Sequence, residues 1–399
     1  MRAIFPVFLL LGVGLGACQF LVGIGSREEA PLAPTVDAAR EAAPTNASVA
    51  DASVADASVA PEVDGGCGLG LSRCGTECVD LRSDSKNCGE CGHDCLGAQC
   101  KSRECVPELV TASSRGGVAL VTGGDLIYRV ADDDTPTALL RAHALDGGAE
   151  RDLFGIGRYA GMAPLGGTRW LLFDNPGTAR IRIVDLAAGV VERTIYEDPA
   201  GIAIRAVANR GNDVFFATRR AVRHVRLDGT GLGVVRSIDP VREGAFGAAP
   251  ALDVTDTLVY FGIEDSETLH ELTREPKPDS RLIDRGSARG ASAGFIHVDP
   301  STNVLTWLTG PEVRELPLDG GAPYAYPSTL SSVHSTARAG SLLFVSSLSS
   351  AASTLVRIDL STRRVFMLGS GLKPTGQIAL DDRYVYLPAF GGGTYRVAR

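Results

Sequence analysis

The chain has 399 residues, of which 44% are hydrophobic and 22% charged, and its 39 Lys and Arg face 47 Asp and Glu for a formal charge of -8. That balance supplies no basic footprint, so it excludes nucleic-acid binding and electrostatic attachment to anionic lipid. The nine cysteines divide the chain: one at Cys18, eight from Cys67 to Cys105, and none in the long remainder.

The N-terminal segment opens with Arg2 and an apolar run from Ile4 to Leu15, then Leu15-Gly16-Ala17-Cys18. A basic start, a short apolar stretch and small residues before a cut are the layout of a secretory signal peptide. The run is shorter than the roughly 20 apolar residues a membrane span needs, so residues 1–17 are expected to be removed. Leu15 to Cys18 resembles the lipobox of bacterial lipoproteins. The resemblance implies that Cys18 becomes the first mature residue, carries the acyl chains (palmitate among them), and holds the protein on a membrane. Gln19 in the following position implies sorting to the outer membrane, facing periplasm or cell surface. Arg outnumbers Lys 35 to 4 beside abundant Ala and Gly, the composition of a GC-rich bacterial coding sequence. Setting Cys18 aside leaves eight thiols, an even number that can pair completely.

Residues 18–66 form the lipidated start and a linker. From Ser26 to Gly66 the chain is Ala, Pro, Val, Ser and Asp, with a short tandem repeat between Ala47 and Ala60. It lacks the large apolar side chains that offset ordering entropy, so it reads as a disordered tether with a root-mean-square reach of roughly 35 Å. The Asn46-Ala47-Ser48 sequon lies within it.

Residues 67–106 hold Cys67, Cys74, Cys78, Cys88, Cys91, Cys95, Cys100 and Cys105 among glycines. Closely spaced thiols in a loop-rich segment read as a disulfide framework in an oxidising compartment. Eight thiols admit about a hundred pairings, and spacing does not choose among them. Cys88-x-x-Cys91 has zinc-knuckle spacing as the competing reading. The run Cys78-Val79-Asp80-Leu81, followed by Asp84-x-x-Asn87-Cys88-Gly89-x-Cys91-Gly92-x-x-Cys95, resembles the stigma-specific cysteine-rich family and its relatives in secreted myxobacterial proteins. That resemblance implies an extracytoplasmic disulfide module.

Residues 107–399 read as a repeat array. Aromatic β-rich runs recur at Asp125-Leu126-Ile127-Tyr128, Arg169 to Phe173, Asp213 to Phe216, Leu258 to Phe261, Val304 to Trp307, Leu342 to Val345 and Tyr384 to Leu387. Each precedes a second strand ending near Leu145, Leu186, Leu227, Leu272, Leu318, Leu360 or Val397, at intervals of 41, 41, 45, 46, 42 and 37. Strands at such spacing, without helical periodicity, mark propeller blades. Asp146-Gly147, Asp228-Gly229 and Asp319-Gly320 follow the second strand as hairpin turns. The fold expected is all-β, a β-propeller of seven blades, with six or eight as the neighbouring counts. The last unit, from Gln377, stops after two strands, and the run Glu108 to Ser113 is expected to supply what is missing and close the ring.

The chemistry-bearing residues are scattered. His93, His143, His224, His270, His297 and His334 lack metal-ligand spacing, and His143, His224 and His270 occupy equivalent second strands. Asp132-Asp133-Asp134 and Glu264-Asp265 read as solvated loops, Gly391-Gly392-Gly393 as a hairpin turn, and Ser346 to Ser353 as a polar loop. No catalytic, cofactor-binding or metal residue is assigned and no cofactor is implied. The expected function is non-enzymatic binding or scaffolding of a protein, peptide or glycan ligand by a membrane-anchored propeller, with the disulfide module as spacer or second contact. The alternative is a propeller hydrolase or lyase with its site at the central channel, which needs carboxylates or histidines converging there.

Overall fold

The computed structural model describes residues 66–112, 119–131, 137–175, 177–198, 200–218, 220–237, 251–263, 268–274, 281–285, 295–309, 312–328, 330, 333–347, 353–389 and 393–399. The leader, Cys18, the tether, Asp132-Asp133-Asp134, Glu264-Asp265, Gly391-Gly392 and residues 348–352 lie outside them.

The described residues form strands only. In the cysteine module, β1 (Ser72–Cys74) pairs with β2 (Glu77–Val79), and β3 (Cys100–Lys101) with β4 (Glu104–Cys105). The disulfides are Cys67–Cys78, Cys74–Cys91, Cys88–Cys100 and Cys95–Cys105. Cys88 and Cys91 therefore belong to different bridges. The sulfurs of Cys88, Cys95 and Cys105 crowd together because two bridges cross the same small core. His93 is buried beside them, its Nδ1 2.7 Å from the Cys88 carbonyl.

The rest is a seven-bladed propeller. Blade 1 runs outward from β6 (Ala119–Thr122) through β7 (Asp125–Ala131) and β8 (Thr137–Ala144) to the first half of β9 (Arg151–Gly166). The second half of β9 opens blade 2, followed by β10 (Arg169–Asn175), β11 (Ala179–Asp185) and β12 (Val190–Asp198). One 16-residue strand thus belongs to two blades. Blade 3 is β13 (Ile204–Arg210), β14 (Asp213–Thr218), β15 (Ala221–Arg226) and β16 (Gly233–Ser237), and blade 4 is β17 (Leu252–Val254), β18 (Leu258–Ile263), β19 (Thr268–Thr273) and β20 (Arg281–Arg285). Blade 5 is β21 (Phe295–Asp299), β22 (Val304–Leu308), β23 (Glu312–Pro317) and β24 (Tyr324–Pro327). Blade 6 is β25 (Ser335–Ala339), β26 (Leu342–Ser347), β27 (Thr354–Asp359) and β28 (Arg364–Ser370).

The aromatic runs are the second strands of each blade, not the first, and the strands that follow them are the third. Second strands are buried along most of their length, as in β14, where five of six residues are buried, because both faces pack against neighbouring blades. Alternation disappears where two faces are covered. First and fourth strands carry weaker patterns, and of these the sequence points only to β5 (Glu108–Thr111), within the run Glu108 to Ser113.

Blade 7 closes the ring. It contains β29 (Ala379–Leu380), β30 (Tyr384–Pro388), β31 (Thr394–Ala398) and, as its outermost strand, β5 (Glu108–Thr111). The last unit has three strands of its own, and a single one is borrowed from the N-terminal side. The seam pairs Thr394 with Thr111, Tyr395 with Leu109 and Arg396 with Glu108. Arg396 Nε donates to Glu108 at 2.7 Å across it.

Only Val106 and Pro107 separate β4 from β5, so the module lies against blades 6 and 7. Cys88, Cys95 and Cys105 share one apolar cluster with Phe344, Leu355, Leu368, Ile378, Val385, Leu387 and Val397. Glu90 pairs with Arg357 of β27, and Ser370 Oγ donates to Glu104 at 2.8 Å. The module is a buttress on the closure seam, beyond the spacer or second contact expected.

Two consequences can be measured. A Cβ on Gly393, whose φ is +106°, would lie 2.6 Å from Leu109 Cδ1 and 2.7 Å from the Thr111 carbonyl oxygen. Gly393→Ala is expected to push β5 off the sheet and cost about 1–3 kcal/mol, read as a lower urea midpoint with early amide exchange in Leu109 to Thr111. The Cys95–Cys105 and Cys67–Cys78 bridges have sequence separations of 10 and 11, so loop entropy alone makes them equivalent. Trp170 and Trp307, the chain's two tryptophans, report on the propeller. Replacing Cys95 and Cys105 by alanine should lower its melting temperature markedly, while replacing Cys67 and Cys78 should barely move it; equal effects would refute the buttress.

Candidate functional site

The inner strands β6, β9, β13, β17, β21, β25 and β29 have one free edge each toward the axis, and side chains of other blades occupy several of those groups. Met162 N donates to Gln377 Oε1 (3.2 Å), Val298 N to Asp253 Oδ2 (2.8 Å) and Ile378 N to Ser335 Oγ (2.9 Å). His297 Nδ1 also approaches Asp253, at 3.3 Å.

Arginine–carboxylate pairs also tie blades together. Arg274 of blade 4 pairs with Asp213 of blade 3, Arg210 of blade 3 with Asp256 of blade 4 (2.7 Å), Arg338 of blade 6 with Asp299 of blade 5 (2.9 Å), and Arg363 of blade 6 with Glu315 of blade 5 (3.1 Å). The Ser301 hydroxyl and backbone N–H, and then Arg338, hold the Asp299 carboxyl well below the usual carboxylate range. Between blades 1 and 2, fully buried Asp174 accepts from Gly157 N (2.6 Å), Arg180 Nε (2.8 Å) and Arg182 Nη2 (2.8 Å). Burial lowers the Arg182 guanidinium from its ordinary value, although Asp174 opposes the shift.

The histidines do not meet. His143, His224 and His270 sit in β8, β15 and β19, third strands of blades 1, 3 and 4, two strands removed from the axis. His224 lies between Asp213 Oδ1 (2.9 Å) and the Gly231 carbonyl (3.2 Å), and His270 stacks on Phe261 with centroids 5.2 Å apart. His334, before β25, is pushed below the usual imidazole value by burial. Among the described residues, the one group of three potential metal ligands is the disulfide-bonded Cys88, Cys95 and Cys105.

A concave site instead opens between blades 2 and 3. It has a volume of about 440 Å³ and is lined by Arg193 of β12, Asn212 and Asp213 at the start of β14, and Arg226, Leu227 and Asp228 at the end of β15. Its walls are fixed by turn hydrogen bonds: Leu227 N donates to the Asn212 carbonyl (2.8 Å) and Gly229 N to the Arg226 carbonyl (2.8 Å). Asp228 Oδ1 accepts from the Thr230 hydroxyl (2.7 Å) and N–H (2.8 Å), which together hold its carboxyl below the ordinary value. Of the residues in this wall, the sequence marks Asp213 and Leu227 as strand ends and Asp228-Gly229 as a turn, none of them as a site. Arg193 and Arg226 carried no signal, because what distinguishes them is a neighbour in another blade. A second hollow, of about 730 Å³, lies on the module and is lined by Arg82, Ser83, Cys100, Lys101, Ser102 and Arg103.

These features define a disulfide-braced, seven-bladed β-propeller. No family model matches the chain, and no curated protein matches it; the likeness of the cysteine segment to the stigma-specific family rests on the residues that carry it. Among solved structures, the chain is similar to the extracellular domain assigned to a one-component system of B. thetaiotaomicron, at 13% identity and a TM-score of 0.50, covering 73% of this chain and 39% of that one. It is also similar to the computationally designed Ika8 protein, at 11% identity and a TM-score of 0.46 over 74% of this chain and all of that one. A chain of the nidogen/laminin complex is similar at 12% identity and a TM-score of 0.45, over 64% and 92% of the two chains. At 13% identity the likeness to the first of these shows the fold alone.

Three buried phenols give the propeller an alkaline limit. Tyr196, Tyr326 and Tyr386 donate to Asp198 (3.1 Å), Glu315 (3.3 Å) and Asp381 (2.6 Å). Burial first, helped by these carboxylates, pushes Tyr196 up to about 12 and the other two higher still. A phenol raised above its unfolded value of about 10 contributes stability that is complete below that pH and is lost as pH climbs through the folded value. Ultraviolet titration should show at least these three of the nine tyrosines ionising only with unfolding; free ionisation of all nine near pH 10 in the folded state would refute this.

Proposed function

We propose that the protein is an outer-membrane lipoprotein that presents its propeller as a non-enzymatic binding or scaffolding platform on the periplasmic or cell-surface side. In this reading Cys18 carries the acyl chains, the tether spans the headgroup region, and the propeller meets a partner. The Leu15-Gly16-Ala17-Cys18 run and Gln19 support the anchor. Four closed disulfides support an oxidising compartment.

The observation that carries the binding role is the cavity between blades 2 and 3, a preformed concavity with charged and amide groups at its rim on a rigid scaffold. Concave sites of a few hundred Å³ are where small groups are recognised, and this one is polar, with Leu227 its single apolar lining residue. The acids around it are engaged: Asp213 by His224 and Arg274, Asp228 by Thr230. That is an arrangement for holding a ligand, and it offers no paired acid and base for turnover.

Anchor and platform are tested separately. The intact mass of the membrane-extracted chain should begin at Cys18 with added acyl mass, and Cys18→Ser should release the protein; an unmodified mature chain refutes the anchor. Asn212 is exposed at the cavity rim, so Asn212→Trp should fill the hollow without disturbing the core. Partners crosslinked on intact cells should fall at least tenfold in yield with this variant, and full retention would refute the cavity as the platform.

A further inference from the structure

The cavity between blades 2 and 3 has a chemical preference that follows from which of its polar groups are already occupied. Asp213 gives one oxygen to His224 and the other to Arg274. Asp228 Oδ1 accepts twice from Thr230. The guanidiniums of Arg193 and Arg226 have no ion pair or side-chain hydrogen bond with any described residue, although both line the hollow and both act electrostatically on Asp228. Other arginines of the propeller, such as Arg210, Arg274, Arg338 and Arg363, are spent on neighbouring blades. What remains on offer is one carboxylate oxygen, Asp228 Oδ2, against two planar forks and the Asn212 amide beside Leu227, a surplus of donors.

We propose that this cavity receives an acidic side chain of a protein partner, its carboxylate held by Arg193 and Arg226 and its aliphatic stem lying against Leu227. A planar carboxylate matches the guanidinium fork in a bidentate way, and such charge-assisted bonds are the strong ones. A protein is favoured over a glycan by exposed apolar side chains on the elements that carry or adjoin the lining residues. Val190 on the same strand as Arg193, Leu232 in the turn after Asp228, and Val234 of β16 are 47%, 55% and 45% exposed. Exposed apolar side chains close in sequence to charged groups suit a partner that buries apolar area and pairs charge in one contact, as a protein surface does. With a formal charge of -8 on the whole chain, attraction of an acidic partner is local to the two guanidiniums, not long-range steering.

This inference rests on the cavity being the platform, and its test uses different probes. With the full, disulfide-bonded chain, N-acetylglutamate should bind saturably by calorimetry or by chemical-shift change at Asn212 and Leu227, and its neutral isostere N-acetylglutamine should not. Arg193→Ala and Arg226→Ala, both at exposed positions, should each weaken binding by roughly tenfold or more, and Arg226→Lys should recover only part of the loss. Equal binding of acid and amide, unchanged binding in the double alanine variant, or preference for glucuronate over N-acetylglutamate would overturn the proposal. If crosslinked partners are lost in Asn212→Trp while N-acetylglutamate fails to bind, the platform stands and the carboxylate does not. If the acid binds but Asn212→Trp keeps its partners, the ligand chemistry stands and the platform role fails.

Discussion

The ring depends on one seam. A propeller is a circle of sheets in which each blade covers the face of the next, and a ring that does not meet itself leaves two blade faces and a strand edge in water. Here the meeting is made by β5, which enters from the N-terminal side to become the outermost strand of a blade whose other three strands are the last of the chain. The pairing covers few residues and includes a register shift between Thr394 and Tyr395. It is short for the task it performs. The Arg396–Glu108 pair and the close approach of Gly393 to Leu109 and Thr111 are local means of keeping it in place.

The disulfide module makes sense against that weakness. Cys105 ends β4 three residues before β5 begins, so the bridge to Cys95 fixes the point from which the closing strand departs. Cys88, Cys95 and Cys105 then sink into the same apolar cluster as β28, β30 and β31. A segment of about forty residues cannot bury enough surface to fold on packing alone. Its bridges supply that stability, and its apolar face supplies cover for the groove between blades 6 and 7. Each large side chain fully buried there is worth roughly 1.5–3 kcal/mol, so the shared cluster stabilises module and propeller together. The cysteine-free propeller is therefore not independent of disulfides; it leans on them at one edge.

The parts of the architecture that were legible in the sequence are those where the environment is the same in every repeat. Second strands such as Asp213 to Phe216 and Leu342 to Val345 are covered on both faces, so they appear as apolar runs, and Asp-Gly turns mark the ends of third strands. First strands are less regular, and the shortest of them, Ala379–Leu380, has two residues and leaves no pattern. The 16-residue β9 serves two blades, and nothing in its composition announces the division. At the candidate site the failure is of another kind. His143, His224 and His270 were conspicuous because histidine is rare in this chain, yet their third-strand positions keep them apart. Arg193 and Arg226 are ordinary members of an arginine-rich sequence. Their distinction is relational, since they line one hollow from two different blades, and relations between blades are not written in the order of residues along one of them.

That contrast also explains why arginine is the cation of this protein. A blade interface is an apolar wedge, so a charged group crossing it must be satisfied with little water nearby. The guanidinium keeps its charge under desolvation and presents several fixed donors, so one Arg182 can reach both Asp174 and the Gly155 carbonyl while lying 5.8 Å over the Phe154 ring. Lysine would bring a single hydrated point charge that burial readily neutralises. Pairs of this kind are weak evidence for stability, because the cost of desolvating both partners offsets much of their attraction. Their value lies in register: Asp213 with Arg274 and Asp299 with Arg338 each reward one setting of neighbouring blades and penalise a slip that would strand a charge. An arginine left out of such a pair has no part in setting the ring, and at the rim of a cavity it is free to meet a carboxylate from outside.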